Sequence, residues 1–139
     1  MSPTHWIRRQ ELYWNAVATE YDMLYNTAWS RSEDQRTLRI LGSLLPRGNA
    51  RLLDLACGTG LGFEMCRSID PKVQYVGLEV SQRMVDRLSG KYPDLHVIPG
   101  KMSDLSAFPE SSFDFVMSLN TSFSYTDKPT ASLREIFAS

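Results

Sequence analysis

The stretch "LLDLACGTGLG", residues 52–62, constrains this chain more than any other. It sets an aspartate, Asp54, inside an apolar run and follows it with three glycines, Gly58, Gly60 and Gly62. The apolar run reads as a buried strand, where a carboxylate is costly unless something pairs with it. A cationic ligand group would serve. Glycines just past a strand permit positive φ and let a ligand lie directly on backbone. A tight strand-to-helix turn without a ligand explains a glycine pair equally well, and Asp54 tips the reading toward a ligand.

From residue 51 onward short apolar runs alternate with helical periodicity. "RLLDLA" (51–56), "VQYVGLE" (73–79), "LHVIPG" (95–100) and "FDFVMSL" (113–119) read as strands. "LGFEMCRSI" (61–69) and "SQRMVDRLSGKY" (81–92) read as helices, the latter with Met84, Val85 and Leu88 inward, and "PTASLREIFAS" (129–139) begins another. Strands apolar at nearly every position and separated by helices indicate a mainly parallel sheet covered on both faces, an α/β, doubly wound, Rossmann-like unit. Ahead of it, "IRRQELYWNAVATEYDMLY" (7–25) predicts one helix. A second is predicted from about Ser32, its cap, with Glu33 and Asp34 in the first turn and Leu38, Leu41 and Leu45 as its stripe, ending at "PRGN". The chain thus reads as a single domain over 1–139, with an N-terminal helical segment at 1–48 and an α/β core at 49–139.

Composition narrows the ligand. A net charge of −1, with basic and acidic residues interspersed, gives no footprint for a nucleic-acid backbone. There is no apolar stretch long enough for a membrane span, and "MSPTHWIRRQELYW" lacks a signal peptide's apolar region, so a cytoplasmic protein is expected. Cys57 and Cys66 stand without histidines at metal-ligand spacing, so reduced thiols and no metal are expected. His96 opens a strand and His5 lies near the terminus, and neither carries a catalytic assignment.

The dinucleotide fingerprint would place its third glycine at 63, where this chain has Phe63. Pyrophosphate is disfavoured further by Asp54, which would repel phosphate and attract an ammonium. At the end of the next strand, "VGLEVS", Glu79 falls where an acid accepts hydrogen bonds from both ribose hydroxyls. Asp54, the glycine loop and Glu79, in that order on successive strand ends, describe a nucleoside carrying a positively charged amino-acid tail.

"LLDLACGTGLG", "YVGLEVSQRMV" and "SSFDFVMSLNTSFSYTDKPTASLREI" together closely resemble the class I S-adenosylmethionine-dependent methyltransferases, from about Trp14 to the last residue. The segment "WNAVATEYD" is similar to the family's N-terminal stretch, in which an aromatic closes over the cofactor, here Tyr21. The resemblance implies that Asp54 and the backbone at Ala56, Cys57, Gly58 and Gly60 hold the methionine part of S-adenosyl-L-methionine, that Glu79 holds the ribose, and that Val80 packs on the adenine. "PGKMSDL" corresponds to the family's G-D-A-x-x-L, with Lys101 at the acid's position. Lysine accepts no hydrogen bond from the adenine amino group, so either the Met102 backbone and Asp104 substitute or adenine affinity falls. Leu119 and Asn120 would approach the sulfonium and the substrate.

Methyl transfer from a sulfonium is an in-line displacement in which the protein mainly orients and desolvates. A neutral amine acceptor needs no base, whereas a hydroxyl needs one, and no catalytic residue is assigned. "NTSF" (120–123) lacks the prolines of the N-P-P-F/Y motif of enzymes that methylate nucleobases or glutamine amides. "SLNTSFSY" is more similar to small-molecule and sugar N-methyltransferases, with Phe123 and Tyr125 as pocket walls or, equally, as core.

The family's sheet has seven strands and this sequence supplies four, so the fold is expected to be incomplete. A central strand would become an edge with unpaired backbone groups. A fragment of a longer enzyme, half of a split one, or a dimer covering residues 113–119 would each account for this. The leading expectation is a methyltransferase acting on a small-molecule acceptor, with a homodimer or a complementing polypeptide covering the edge. The alternative is a non-catalytic cofactor-binding module, or half of a split or truncated enzyme.

Overall fold

The computed structural model describes residues 3–24, 26–119, 128, 130, 132, 134 and 136. Three helices come first: α1 (Pro3–Val17), α2 (Tyr21–Leu24) and α3 (Ala28–Leu44). They are followed by β1 (Arg51–Leu55), α4 (Leu61–Ile69), β2 (Gln74–Glu79), α5 (Gln82–Lys91), β3 (His96–Pro99) and β4 (Phe115–Met117). Thr130, Ser132, Arg134 and Ile136 have helical backbone, as the periodicity there predicts.

The strands pair in parallel in the order β3-β2-β1-β4. The chain moves outward from β1 through α4, β2 and α5 to β3, then returns across the sheet to lay β4 on the other side of β1. The point of reversal therefore lies between β1 and β4, and in open α/β sheets ligands bind beyond the carboxyl ends of the strands at such a point.

Alternating side chains serve the two faces. Leu52, Tyr75 and Met117 meet Cys66 and Met65 of α4, Leu88 of α5 and Leu41 of α3 in one core. Leu53, Leu55 and Leu78 meet Met102, Leu105 and, at the margin, Phe108 and Phe113 in the other. The central strand β1 is fully covered after its first residue, which explains its near-continuous apolar sequence. Met84, Val85 and Leu88 are buried, as their spacing predicts.

Three local expectations are corrected. The predicted helix over 7–25 is two helices, α1 and α2, separated by a turn closed by Glu20 N–H donating to Val17 O at 3.1 Å. The predicted helix from Ser32 starts one turn earlier, because Thr27 is its cap and accepts from Ser30 N–H at 3.1 Å. Ser32, Glu33 and Asp34 are consequently interior positions of α3 rather than its first turn. The last strand is shorter than 113–119 and covers Phe115–Met117.

Candidate cofactor site

The site is built where β1 hands over to α4. Ala56 and Gly58 both adopt left-handed backbone, φ 60° and 57°, and Gly60 reaches φ 106° as the N-cap of α4. Cys57 N–H donates to Leu78 O at 3.0 Å, holding the loop to the end of β2. Gly60 N–H then donates to Cys57 O at 3.2 Å and Glu64 N–H to Gly60 O at 3.0 Å, which starts the helix.

The three glycines have three different reasons. A Cβ on Gly58 would meet no atom within 4 Å, so this residue faces open space. On Gly60 it would lie 2.5 Å from Leu88 Cδ1, and on Gly62 2.3 Å from Asp54 Oδ2. Gly62 lies inside α4 without positive φ, so the expected left-handed role is corrected to close approach of the helix to the carboxylate.

Glu79 ends β2 with its carboxylate pinned across the loop. Its Oε2 accepts from Gly58 N–H at 2.9 Å and its Oε1 from Ser81 N–H at 3.0 Å. Burial raises its pKa even though these backbone donors act in the opposite direction. The Val80 amide is a third backbone donor, so of a carboxylate's roughly four lone-pair sites about one stays open. A ribose hydroxyl would fill it.

Asp54 has a protein partner that the sequence reading missed. It is 2% exposed, and its Oδ2 accepts from the Tyr75 hydroxyl at 2.5 Å. Gly77, opposite Asp54 in the register, makes room for this arrangement: a Cβ there would lie 2.7 Å from Cys57 Sγ and 3.3 Å from the Tyr75 ring. The signal lay in the parallel pairing, which puts Tyr75 on the same face as Asp54, two residues before the glycine. Burial pushes the Asp54 carboxyl up to about 7, an effect that the Tyr75 bond only partly offsets and to which Glu79 adds a smaller like-charge repulsion. An ammonium brought near would favour its ionised form.

The other expected site residues divide. Val80 and Ala56 are half-buried beside the loop, and Cys57 is a buried free thiol whose pKa burial raises strongly. Met102 is 9% exposed and its side chain belongs to the core. Asp104 accepts from Ser106 N–H and Oγ and so serves its own turn. Leu119 is half-buried past β4, preceded by Ser118, whose buried hydroxyl has no hydrogen-bond partner among the described residues. Asn120, Phe123 and Tyr125 lie outside the described residues.

Tyr21 and Trp14 stack edge to face at 6.1 Å, half-buried, on the N-terminal helices. The residue after Tyr21 reaches the loop directly. Asp22 accepts from Thr59 Oγ1, from Lys91 Nζ at 2.6 Å and from Arg87 Nε at 3.4 Å. No motif reading pointed to Asp22. Among the described residues no helix is long and apolar enough to cross a membrane, and no cluster of three potential metal ligands occurs.

A nucleoside with an amino-acid tail fits this arrangement on three counts. Gly58 offers an open backbone surface, Glu79 retains acceptor capacity, and Asp54 stands at the strand end as an acid that a cation would ionise.

Comparison with known proteins agrees. The family model described as a methyltransferase domain matches residues 52–139. No curated protein matches significantly. Among solved structures, a putative S-adenosyl-L-methionine-dependent methyltransferase from Methanococcus maripaludis superposes with a TM-score of 0.73 at 15% identity, covering 89% of this chain and 57% of its own. DesVI of Streptomyces venezuelae is 26% identical with a TM-score of 0.64, covering 88% of this chain and 50% of its own. CalS10 of Micromonospora echinaspora, an amino pentose methyltransferase solved with S-adenosylmethionine bound, is 25% identical with a TM-score of 0.63, covering 84% of this chain and 49% of its own. The chain thus spans about half the length of these structures. Its sheet, glycine loop and strand-end acids, with a family match over most of its length, make it a member of the class I S-adenosylmethionine-dependent methyltransferases.

Proposed function

We propose that this chain supplies the cofactor-binding half of an enzyme that methylates a small-molecule acceptor. The observation that carries the reading is Glu79, held to the Gly58 and Ser81 amides at the end of β2 while Gly58 faces open space beside it. When bound, S-adenosylmethionine supplies the activated methyl group. Glu79 would accept from a ribose hydroxyl, and the backbone of Ala56, Cys57, Gly58 and Gly60 would carry the methionine part. Asp54, with its carboxyl at about 7, would ionise against the ammonium. Val80 and the Met102 backbone would flank the adenine, Tyr21 would close from the N-terminal side, and Leu119 and Asn120 would face the sulfonium and acceptor.

The small-molecule acceptor is supported by likeness to CalS10, described as an amino pentose methyltransferase. Calorimetric titration of the full chain with S-adenosylhomocysteine tests the cofactor assignment. Saturable binding is expected, weakened by about 1–3 kcal/mol in Glu79→Ala. Equal affinity in wild type and variant would remove Glu79 from the site and with it the proposal.

A companion proposal concerns the sheet edge. Among the described residues β4 pairs only with β1, which leaves its outer backbone groups free for another strand. A second copy or a complementing polypeptide would pair there, along residues 113–119. Light scattering that gives a monomer at micromolar concentration, with fast hydrogen exchange in β4 and no recruited strand, would exclude this.

A further inference from the structure

Helices α1 and α2 are tied to the cofactor half by polar contacts at each end of α5. At its N-terminal end, Asn15 Oδ1 accepts from Ser81 Oγ at 2.6 Å and from Arg83 N–H at 3.2 Å, while Arg83 donates from Nη1 to Asn15 O at 3.3 Å. Ser81 is the cap of α5, and its N–H is one of the backbone donors on Glu79. At the other end, Lys91 Nζ bonds Asp22 and also donates to Thr59 O at 3.0 Å, so a single ammonium joins α2 to the glycine loop. Thr59 is 4% exposed and lies between Gly58 and Gly60. Asp22 is thus held by three donors from two elements, while Met23 and Leu24 beside it on α2 are largely exposed. A four-residue helix with no buried residue has little packing to keep it in place. Beside the Tyr21–Trp14 ring contact, the polar bonds of Asp22 hold it.

We infer that Asp22 is a positioning residue that latches α2, and Tyr21 with it, onto the glycine loop, and thereby sets how fast cofactor enters and leaves. This rests on the cofactor site proposed above. Asn15 is the fixed anchor and Asp22 the releasable one. Its ion pairs with Lys91 and Arg87 are about a third exposed to water and open more readily than packed apolar contacts. The burial of Asp22 works against its charge, but the bonds from Lys91 and Thr59 and the charge of Arg87 prevail, so it stays ionised at neutral pH. Opening the latch would free the Thr59 hydroxyl and the segment 18–24 together, without disturbing β1 or β2.

Hydrogen exchange on the ligand-free full chain, wild type against Asp22→Ala, tests the latch independently of any cofactor. Loss of the charged contacts should speed exchange of residues 18–24 and 58–60 by about five- to tenfold, with β1 and β2 unchanged. Unchanged exchange in 18–24, or a rise that includes β1 and β2, would overturn it, since the second pattern reports general destabilisation. Stopped-flow mixing with S-adenosylhomocysteine provides the functional readout. Association and dissociation should both accelerate in Asp22→Ala while the dissociation constant changes less than either rate. Asp22→Asn should fall between the two, since the amide keeps an acceptor for Thr59. In hydrogen exchange of residues 21–24 the double variant Asp22→Ala/Lys91→Ala should be no faster than Asp22→Ala, since Lys91 reaches α2 through Asp22, and additive effects there would separate Lys91 from the latch. Failure of the wild type to bind would count against the cofactor site, with the exchange pattern still deciding whether Asp22 fastens α2.

Discussion

Replacing Asp54 by asparagine should stabilise the ligand-free protein at alkaline pH and weaken its hold on cofactor. The side chain is 2% exposed and its carboxyl titrates at about 7 instead of the ordinary 3.8, because burial opposes the charge and Glu79 repels it. Below 3.8 the group is protonated folded and unfolded alike, and contributes nothing to pH dependence. Between 3.8 and about 7 the unfolded chain releases the proton and the folded chain keeps it, so stability falls as pH rises. At about 1.4 kcal/mol per pH unit the full loss is roughly 4 kcal/mol, nearly all of it incurred by pH 8.5. At pH 4.5 only about 1 kcal/mol has been lost. Asparagine has the same shape, still offers Tyr75 an acceptor, and carries no charge. The stability of Asp54→Asn relative to wild type should therefore improve by about 3 kcal/mol between pH 4.5 and 8.5. Urea unfolding at the two pH values measures this directly. Glu79, whose pKa is also raised by burial, gives a slope of the same sign in both proteins and cancels in the comparison. The carboxyls held low by hydrogen bonds, Asp70, Asp104 and Asp114, titrate below this window. A difference between the proteins that is the same at both pH values, or one that moves against the variant, would refute the placement of an ionisable Asp54 in a closed environment. Titration with S-adenosylhomocysteine at pH 8.5 should show the opposite preference, with the variant weaker by about 1–3 kcal/mol.

Other substitutions test separate parts of the site. Glu79→Gln can give only one acceptor oxygen to the two amides of Gly58 and Ser81, so thermal melts should show a loss of about 1–2 kcal/mol and titrations a weaker cofactor. Gly60→Ala forces a side chain into φ 106° and against Leu88, and a urea midpoint shift worth about 1–3 kcal/mol is expected; a neutral result would mean that α4 and α5 are not packed this closely. Thr27→Ala should cost about 1 kcal/mol, while Ser32→Ala should cost nothing measurable, a pair that places the start of α3 by equilibrium unfolding.

The glycine loop, the two strand-end acids and the alternation of strands and helices were legible because each is local. A strand buried on both faces must be apolar throughout, and a loop that exposes its backbone must be glycine-rich, whatever surrounds them. The N-terminal segment was legible only as helical. No glycine or proline marks the break after Val17, and Thr27, Ser30 and Ser32 are all plausible caps by residue type. What accompanies that break is distant contact: Asn15 meets Ser81, and Asp22 meets Lys91, residues more than sixty positions away. The same holds for Asp54. Its sequence context alone announced a buried carboxylate, and that much was determined by the chain itself. Its partner, Tyr75, was decided by the register of β1 on β2, which brings a hydroxyl from 21 residues away to the acid and uses Gly77 to make the space. Backbone conformation follows from neighbours in the chain, but the partner of a buried charge follows from whichever strand lies beside it.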